Sequence, residues 1–150
     1  MQDIPSNPQT KPSLTVVILT FNEALHIERA LESVAQLARR VVVVDSGSSD
    51  GTDVRARELG ADVYSRAWIN YADQFQWALD NTQIDTEWTM RMDADEWFGV
   101  DLVESLRTLL LHPADQMTTV SMDRRHHFMG RWIKHGGRFP LTLLRVWKTG

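Results

Sequence analysis

The chain has 150 residues, 43% of them apolar, enough to bury one domain-sized core. Lys plus Arg number 16 and Asp plus Glu 20, giving a formal net charge of −4. That balance argues against a protein that coats nucleic acid, which needs a cationic excess, but not against one that binds a single nucleotide. Cysteine is absent, which excludes a disulfide framework, a thiolate nucleophile and a cysteine zinc site, and fits a reducing compartment.

Residues 1–13 read as a flexible leader, polar and carrying Pro5, Pro8 and Pro12, without the apolar stretch of a signal peptide. No apolar run approaches the roughly 20 residues of a spanning helix. A soluble, cytoplasmic domain over 14–150 is therefore expected. Six tryptophans are read mainly as core and edge packing, with a sugar or partner surface as the alternative.

The run Leu14 to Thr20 is continuous and β-branched, which predicts a strand buried on both faces. Helical spacing of Ile27, Ala30, Leu31, Val34, Leu37 and Ala38 predicts a helix over 24–38. Val41 to Asp45 is a second buried strand, ending in an acid. A small-residue loop follows, with a helix N-cap at Ser49 or Asp50 and Gly60 closing that helix. Asp62 to Ser65 predicts a third strand, and Tyr71 to Asn81 a helix with Phe75, Ala78 and Leu79 inward. Glu87 to Met92 predicts a fourth strand, before Asp93-Ala94-Asp95-Glu96. Val100 to Leu111 predicts another helix, stopped by Pro113. Met117 to Met122 and Leu141 to Val146 predict strands flanking a basic, aromatic, Gly-containing segment, 126–138. Four alternations of strand and helix imply crossover connections, hence a mainly parallel α/β sheet with helices on both faces and a β-rich segment after it.

Ligands of open parallel sheets bind at the carboxyl ends of the strands. Three polar clusters fall there: Thr20-Phe21-Asn22-Glu23, Asp45-Ser46-Gly47-Ser48 and Asp93-Ala94-Asp95-Glu96. Two carboxylates one residue apart can hold a divalent hard cation, and Mg²⁺ and Mn²⁺ share coordination with substrate phosphates. The alternative is a solvated acidic loop capping the next helix through Asp95 or Glu96. Asp45 could accept from a nucleobase N–H or organise its own loop. Thr20 and Glu23 have capping-box spacing, so Glu23 has a structural reading beside the nucleotide contact. Phosphate-loop and dinucleotide glycine patterns are missing. His126, His127, Lys134, His135, Arg138 and Arg145 could lie near a leaving diphosphate, or simply decorate a solvated hairpin.

LTVVILTFNE (14–23), VVVVDSGSSDGT (41–52) and MDADEW (92–97) resemble the family 2 glycosyltransferases, inverting enzymes of GT-A fold. The segment 128–137 and Arg145 are similar to the subgroup of bacterial lipopolysaccharide-core β-1,4-glucosyltransferases. The resemblance spans about Leu14 to Val146. It implies a Rossmann-like nucleotide-diphospho-sugar transferase domain that moves a sugar, glucose in that subgroup, from a UDP-sugar to a glycan or lipid-linked acceptor. It also implies Thr20, Asn22, Glu23, Asp45, Ser46 and Asp93 in the donor pocket, and Asp95 with Asp93 holding Mg²⁺ or Mn²⁺. The family's general base lies downstream of the Asp-x-Asp motif. Asp101, Glu104, Asp115 and Asp123 are the acids left after Glu96, and none is assigned. An N-terminal fragment or truncated member is therefore expected. Arg91 in mid-strand and Leu141 after Pro140 depart from the pattern. Peripheral membrane contact through 124–138 is expected by analogy. The alternatives are a nucleotide-sugar-binding fragment without turnover and a haloacid-dehalogenase-like phosphotransferase, which also places Asp-x-Asp after an apolar strand but wants Thr or Val where this chain has Trp97.

Overall fold

The structure is a computed structural model that describes residues 10–125, 127–128, 131–132 and 141–150. Of the expected leader, 1–9 lie outside the described residues. The elements are β1 (Leu14–Thr20), α1 (Ile27–Val34), β2 (Arg40–Asp45), α2 (Thr52–Glu58), β3 (Asp62–Ser65), α3 (Tyr71–Asn81), β4 (Trp88–Asp93), α4 (Val100–Leu111), β5 (Thr119–Arg124), β6 (His127–Phe128), β7 (Arg131–Trp132) and β8 (Leu141–Lys148).

Six strands form one sheet in the order β3-β2-β1-β4-β8-β5, and β6 and β7 form a separate two-stranded antiparallel sheet. β3, β2, β1 and β4 run parallel, while β8 is antiparallel to both neighbours. Alternate residues of the β-branched runs feed two cores, as a two-sided strand requires. On one face Leu14, Val16 and Ile18 of β1 and Trp88, Met90 and Met92 of β4 pack with α1, α2 and α4. On the other, Val17, Val42 and Val44 pack against Ala78 of α3, with Phe75 and Trp77 beside them. The mainly parallel architecture with helices on both faces is the expected GT-A type.

Several boundaries differ from expectation for physical reasons. α1 is shorter than 24–38. Ala24 donates its N–H to Asp50 of the next loop rather than into the helix. At the other end Arg39 donates to Leu14, which turns the chain into β2. α2 has Gly51 as its N-cap, with a positive φ of 88°, instead of Ser49 or Asp50. Asp50 still accepts the Thr52 N–H from one residue earlier. In α3 the fully buried residues are Gln74 and Ala78, and Leu79 is half-buried. The later strands extend beyond Met122 and Val146, because β5 and β8 pair along Thr119 to Arg124 and Leu141 to Trp147. Trp88 is fully buried, whereas Trp68 and Trp97 are about half exposed beside the strand ends, so packing does not account for every tryptophan.

Candidate active site

Connections leave β1 toward β2 on one side and reach β4 on the other, so the strand order reverses between β1 and β4. Crevices of this kind at strand carboxyl ends are where α/β sheets take ligands. Thr20 pairs with Asp45 across β1–β2, and Leu19 with Asp93 across β1–β4. Two strand spacings therefore separate Asp45 from Asp93, roughly 10 Å. The three sequence clusters share one rim.

On the β2 side the rim is closed by its own hydrogen bonds. Asp45 is buried, and its Oδ1 accepts from Thr20 Oγ1 at 2.9 Å and Ser48 Oγ at 2.5 Å. Its Oδ2 accepts from the N–H groups of Gly47 (3.0 Å) and Ser48 (2.8 Å). A carboxylate offers about four lone-pair positions, and all are taken. Gly47 has φ +91°, the left-handed conformation that glycine adopts without a Cβ penalty. Asn22 also sits at positive φ (53°), tolerated better by Asn than by most residues. It clasps the two loops: its N–H donates to Ser48 Oγ, and its Oδ1 accepts from the Ser49 N–H at 2.9 Å. The Glu23 N–H donates to Thr52 Oγ1. The capping box is not formed. Thr20 turns to Asp45, α1 starts only at Ile27 with His26 as N-cap, and the Glu23 carbonyl accepts from His26 and Ile27. The Glu23 side chain is left facing the rim, where burial and then the Asp95 carboxylate push its pKa up.

The β4 side is charged. Glu96 accepts the Asp93 N–H at 3.0 Å and pairs with Arg145 at 2.6 Å, and Arg124 lies 3.4 Å from the same carboxylate. Arg124 is also 3.8 Å from Asp93. Glu96 is thus no helix cap, and α4 instead has Gly99 as its N-cap, without a side-chain cap bond. Burial raises the Glu96 pKa, offset in part by the Asp93 N–H and by Arg145 and Arg124. Asp95 is exposed on the turn after β4, and its carboxylate has no partner among the described residues. Its backbone carbonyl accepts from Arg29 of α1 at 3.4 Å, and Arg29 lies 4.0 Å over the Trp97 ring. Nε of Arg91 and Nη1 of Arg145 are shut from solvent with no hydrogen-bond partner, each an expense of about 1–3 kcal/mol.

α3 supplies the wall behind. Gln74 is fully buried, donating to Ser46 Oγ at 3.2 Å and accepting from Arg66 at 3.1 Å. Tyr71 lies over Arg91, whose guanidinium is 5.5 Å from the ring centroid. Burial raises the Tyr71 pKa, against the pull of Arg91 and Arg145.

Among the described residues no three His, Asp or Glu side chains form a preassembled metal cage. The donor set still fits a hard cation shared with phosphate oxygens, because Asp93 and Asp95 are accessible carboxylates at one strand end. His126, Lys134, His135 and Arg138 lie outside the described residues. His127 is within 5.5 Å of the Trp97 ring. A separate concavity lies at the opposite end of the sheet, lined by Lys11, Arg39, Arg40 and Asp62, away from all three clusters.

The family model for glycosyl transferase family 2 matches residues 15–149, from β1 through β8. The chain belongs to glycosyl transferase family 2. It is 39% identical over 93 residues to an uncharacterized glycosyltransferase of Rickettsia bellii, covering 62% of this chain and 31% of that protein. It is 32% identical over 125 residues to the lipopolysaccharide core biosynthesis glycosyltransferase LpsC of Rhizobium meliloti, covering 80% and 45%. The fold matches glucosyl-3-phosphoglycerate synthase from Mycobacterium tuberculosis, a structure holding Mn²⁺, UDP and phosphoglyceric acid, with a TM-score of 0.58 at 22% identity, over 72% and 42% of the chains. The chain spans about a third of the length of the first curated relatives.

Membership of the family leaves the phosphotransferase alternative without support. Several residues of this family 2 domain escaped the sequence reading. Gln74 carried a weak signal, a polar residue on the same helical stripe as Ala78. Arg29 and Arg124 carried none, and for Glu96 and Arg145, both named from the sequence, only the pairing was missed, because the partners are 49 or more residues away, apart from Arg124's approach to Asp93 and Glu96 across the β4–β5 connection.

Proposed function

We propose that this rim binds a UDP-sugar together with Mg²⁺ or Mn²⁺, and that the domain serves inverting transfer of the sugar to a cell-envelope glycan such as lipopolysaccharide core. The observation that carries the reading is the exposed, unpartnered Asp95 carboxylate, on one rim with Asp93, Glu23 and the Asp45 loop. Asp93 and Asp95 would hold the cation, which supplies charge stabilisation for a departing nucleoside diphosphate. The Thr20, Asn22, Asp45 and Ser46 loops would receive the nucleoside. Asp45 must then exchange one loop hydrogen bond for a base N–H. Glucose and a lipid-linked acceptor follow the subgroup resemblance, in keeping with the relative in lipopolysaccharide core biosynthesis. Among the described residues no helix is long and apolar enough to cross a membrane.

Thermal melting with UDP-glucose tests the reading. Ligand at a hundredfold excess over Kd should stabilise by about 2.7 kcal/mol, in the presence of Mg²⁺ or Mn²⁺ and not in EDTA. Asp95→Ala should remove the effect and leave the ligand-free melt unchanged. A melt indifferent to donor and metal would overturn it. A second reading, donor binding without transfer, draws on the engagement of Glu104 with Arg107 and of Asp123 with Thr142, which ties up two of the acids after Glu96. Measuring donor binding and donor hydrolysis on the same sample separates the two.

A further inference from the structure

Pairing between β4 and β8 ends at Met90–Val146, and Arg91 and Arg145 are the residues that follow it on the two strands. Opposite β5 the register skips Arg145, since Val146 faces Val120 and Leu144 faces Ser121. Arg145 is therefore the extra residue of a β-bulge, a feature that re-aims side chains beside active sites. It is 5% exposed and reaches Glu96 with Nη2, which leaves Nη1 unused. Arg91 has no carboxylate partner among its contacts. Its Nε is buried and unused, and its guanidinium rests under Tyr71. Arg124 and Arg145 share the carboxylates of Asp93 and Glu96, and Arg91 is paired with neither. Arg91 and Arg145, next after the last β4–β8 pair on adjacent strands, thus each keep an unused guanidinium donor, the group that takes phosphate.

We infer that Arg91 and Arg145 form the floor of an oxyanion seat that takes a phosphate group without help from a metal ion. Tyr71, 38% exposed at the start of α3, covers Arg91 and turns aside to admit the anion. The phosphate has two candidate sources, the donor's diphosphate or a phosphorylated acceptor. The seat does not depend on the proposed sugar transfer; only the choice between those sources does.

The test is calorimetric titration of the whole chain with inorganic pyrophosphate in EDTA, at ionic strength held constant with sodium chloride. Saturable binding is expected, weakened tenfold or more in Arg91→Met, whose anion-free melting temperature should equal or exceed that of the unsubstituted chain. Unchanged pyrophosphate affinity in Arg91→Met would overturn the inference. If that variant does not fold, the unsubstituted chain decides alone: no saturable binding in EDTA overturns it. A repeat with inorganic phosphate in saturating UDP and Mn²⁺ assigns the source. Phosphate that still binds marks an acceptor group, and phosphate that is excluded marks the donor's diphosphate; either supports the seat. UDP–Mn²⁺ binding without metal-free pyrophosphate binding would refute the seat and leave the proposed function standing. Pyrophosphate binding without UDP–Mn²⁺ binding would do the reverse.

Discussion

Around Asp45 the carboxylate takes four hydrogen bonds from Thr20, Gly47 and Ser48, whereas across β1 the Asp95 carboxylate takes none from the described residues and two arginine donors go unused. The β2 side is complete without a ligand. Its loops are joined by Asn22, Asp50 and Thr52, which fixes the surface before anything binds. The β4 side holds charged groups of both signs that the described residues leave unpaired: the Asp95 carboxylate and one donor each of Arg91 and Arg145. Preorganised shape on one side and unpaired charged groups on the other fit the proposed recognition of a nucleoside by shape and a diphosphate by charge.

The largest effect should come from the charged side. Arg145→Met removes the buried cation closest to the partly buried Glu96 and should cost about 3–5 kcal/mol in urea unfolding. Adding Glu96→Gln should recover part of that loss, and no recovery would mean that the pair is not the source. On the completed side, Asp45→Ala strips acceptors from the Gly47 and Ser48 N–H groups and should cost about 1–3 kcal/mol. A cost near zero would mean that the loop is held by something other than the carboxylate. Asp95→Asn should change stability by less than about 0.5 kcal/mol, as at an exposed site without partners, and a larger loss would erase the contrast between the two sides.

The smallest effect is a pH dependence. Burial holds the Glu96 pKa above its ordinary 4.5, so between the unfolded and folded values the native chain binds the proton more tightly. The stability this group contributes is present at low pH and declines as pH rises through that interval. The difference in melting temperature between the unsubstituted chain and Glu96→Gln, followed from pH 4 upward, should show this decline, and a constant difference would contradict it.

The β-branched runs of β1 and β2 and the acids at their ends were legible because a strand buried on both faces leaves so few residue choices. The convergence of the three clusters followed from parallel topology alone. The Asp45 loop was not legible in detail. Its spacing allowed both a base contact and a loop contact, and the choice is made by Thr20 on another strand. Thr20 and Glu23 had the spacing of a capping box, yet the Asp45 carboxylate draws the Thr20 hydroxyl away. Arg91 read as a costly departure, and the structure shows why it stands out: it opens onto Tyr71 and the bulged Arg145, which no local pattern announces.

Paramagnetic broadening of backbone amide signals by Mn²⁺ in the presence of UDP tests the central claim most directly. Signals of Glu23 and of Asp93 to Glu96 should broaden at substoichiometric Mn²⁺, while those of Lys11, Arg39 and Arg40 at the opposite end of the sheet stay sharp. Uniform broadening, or broadening confined to that opposite end, would contradict it.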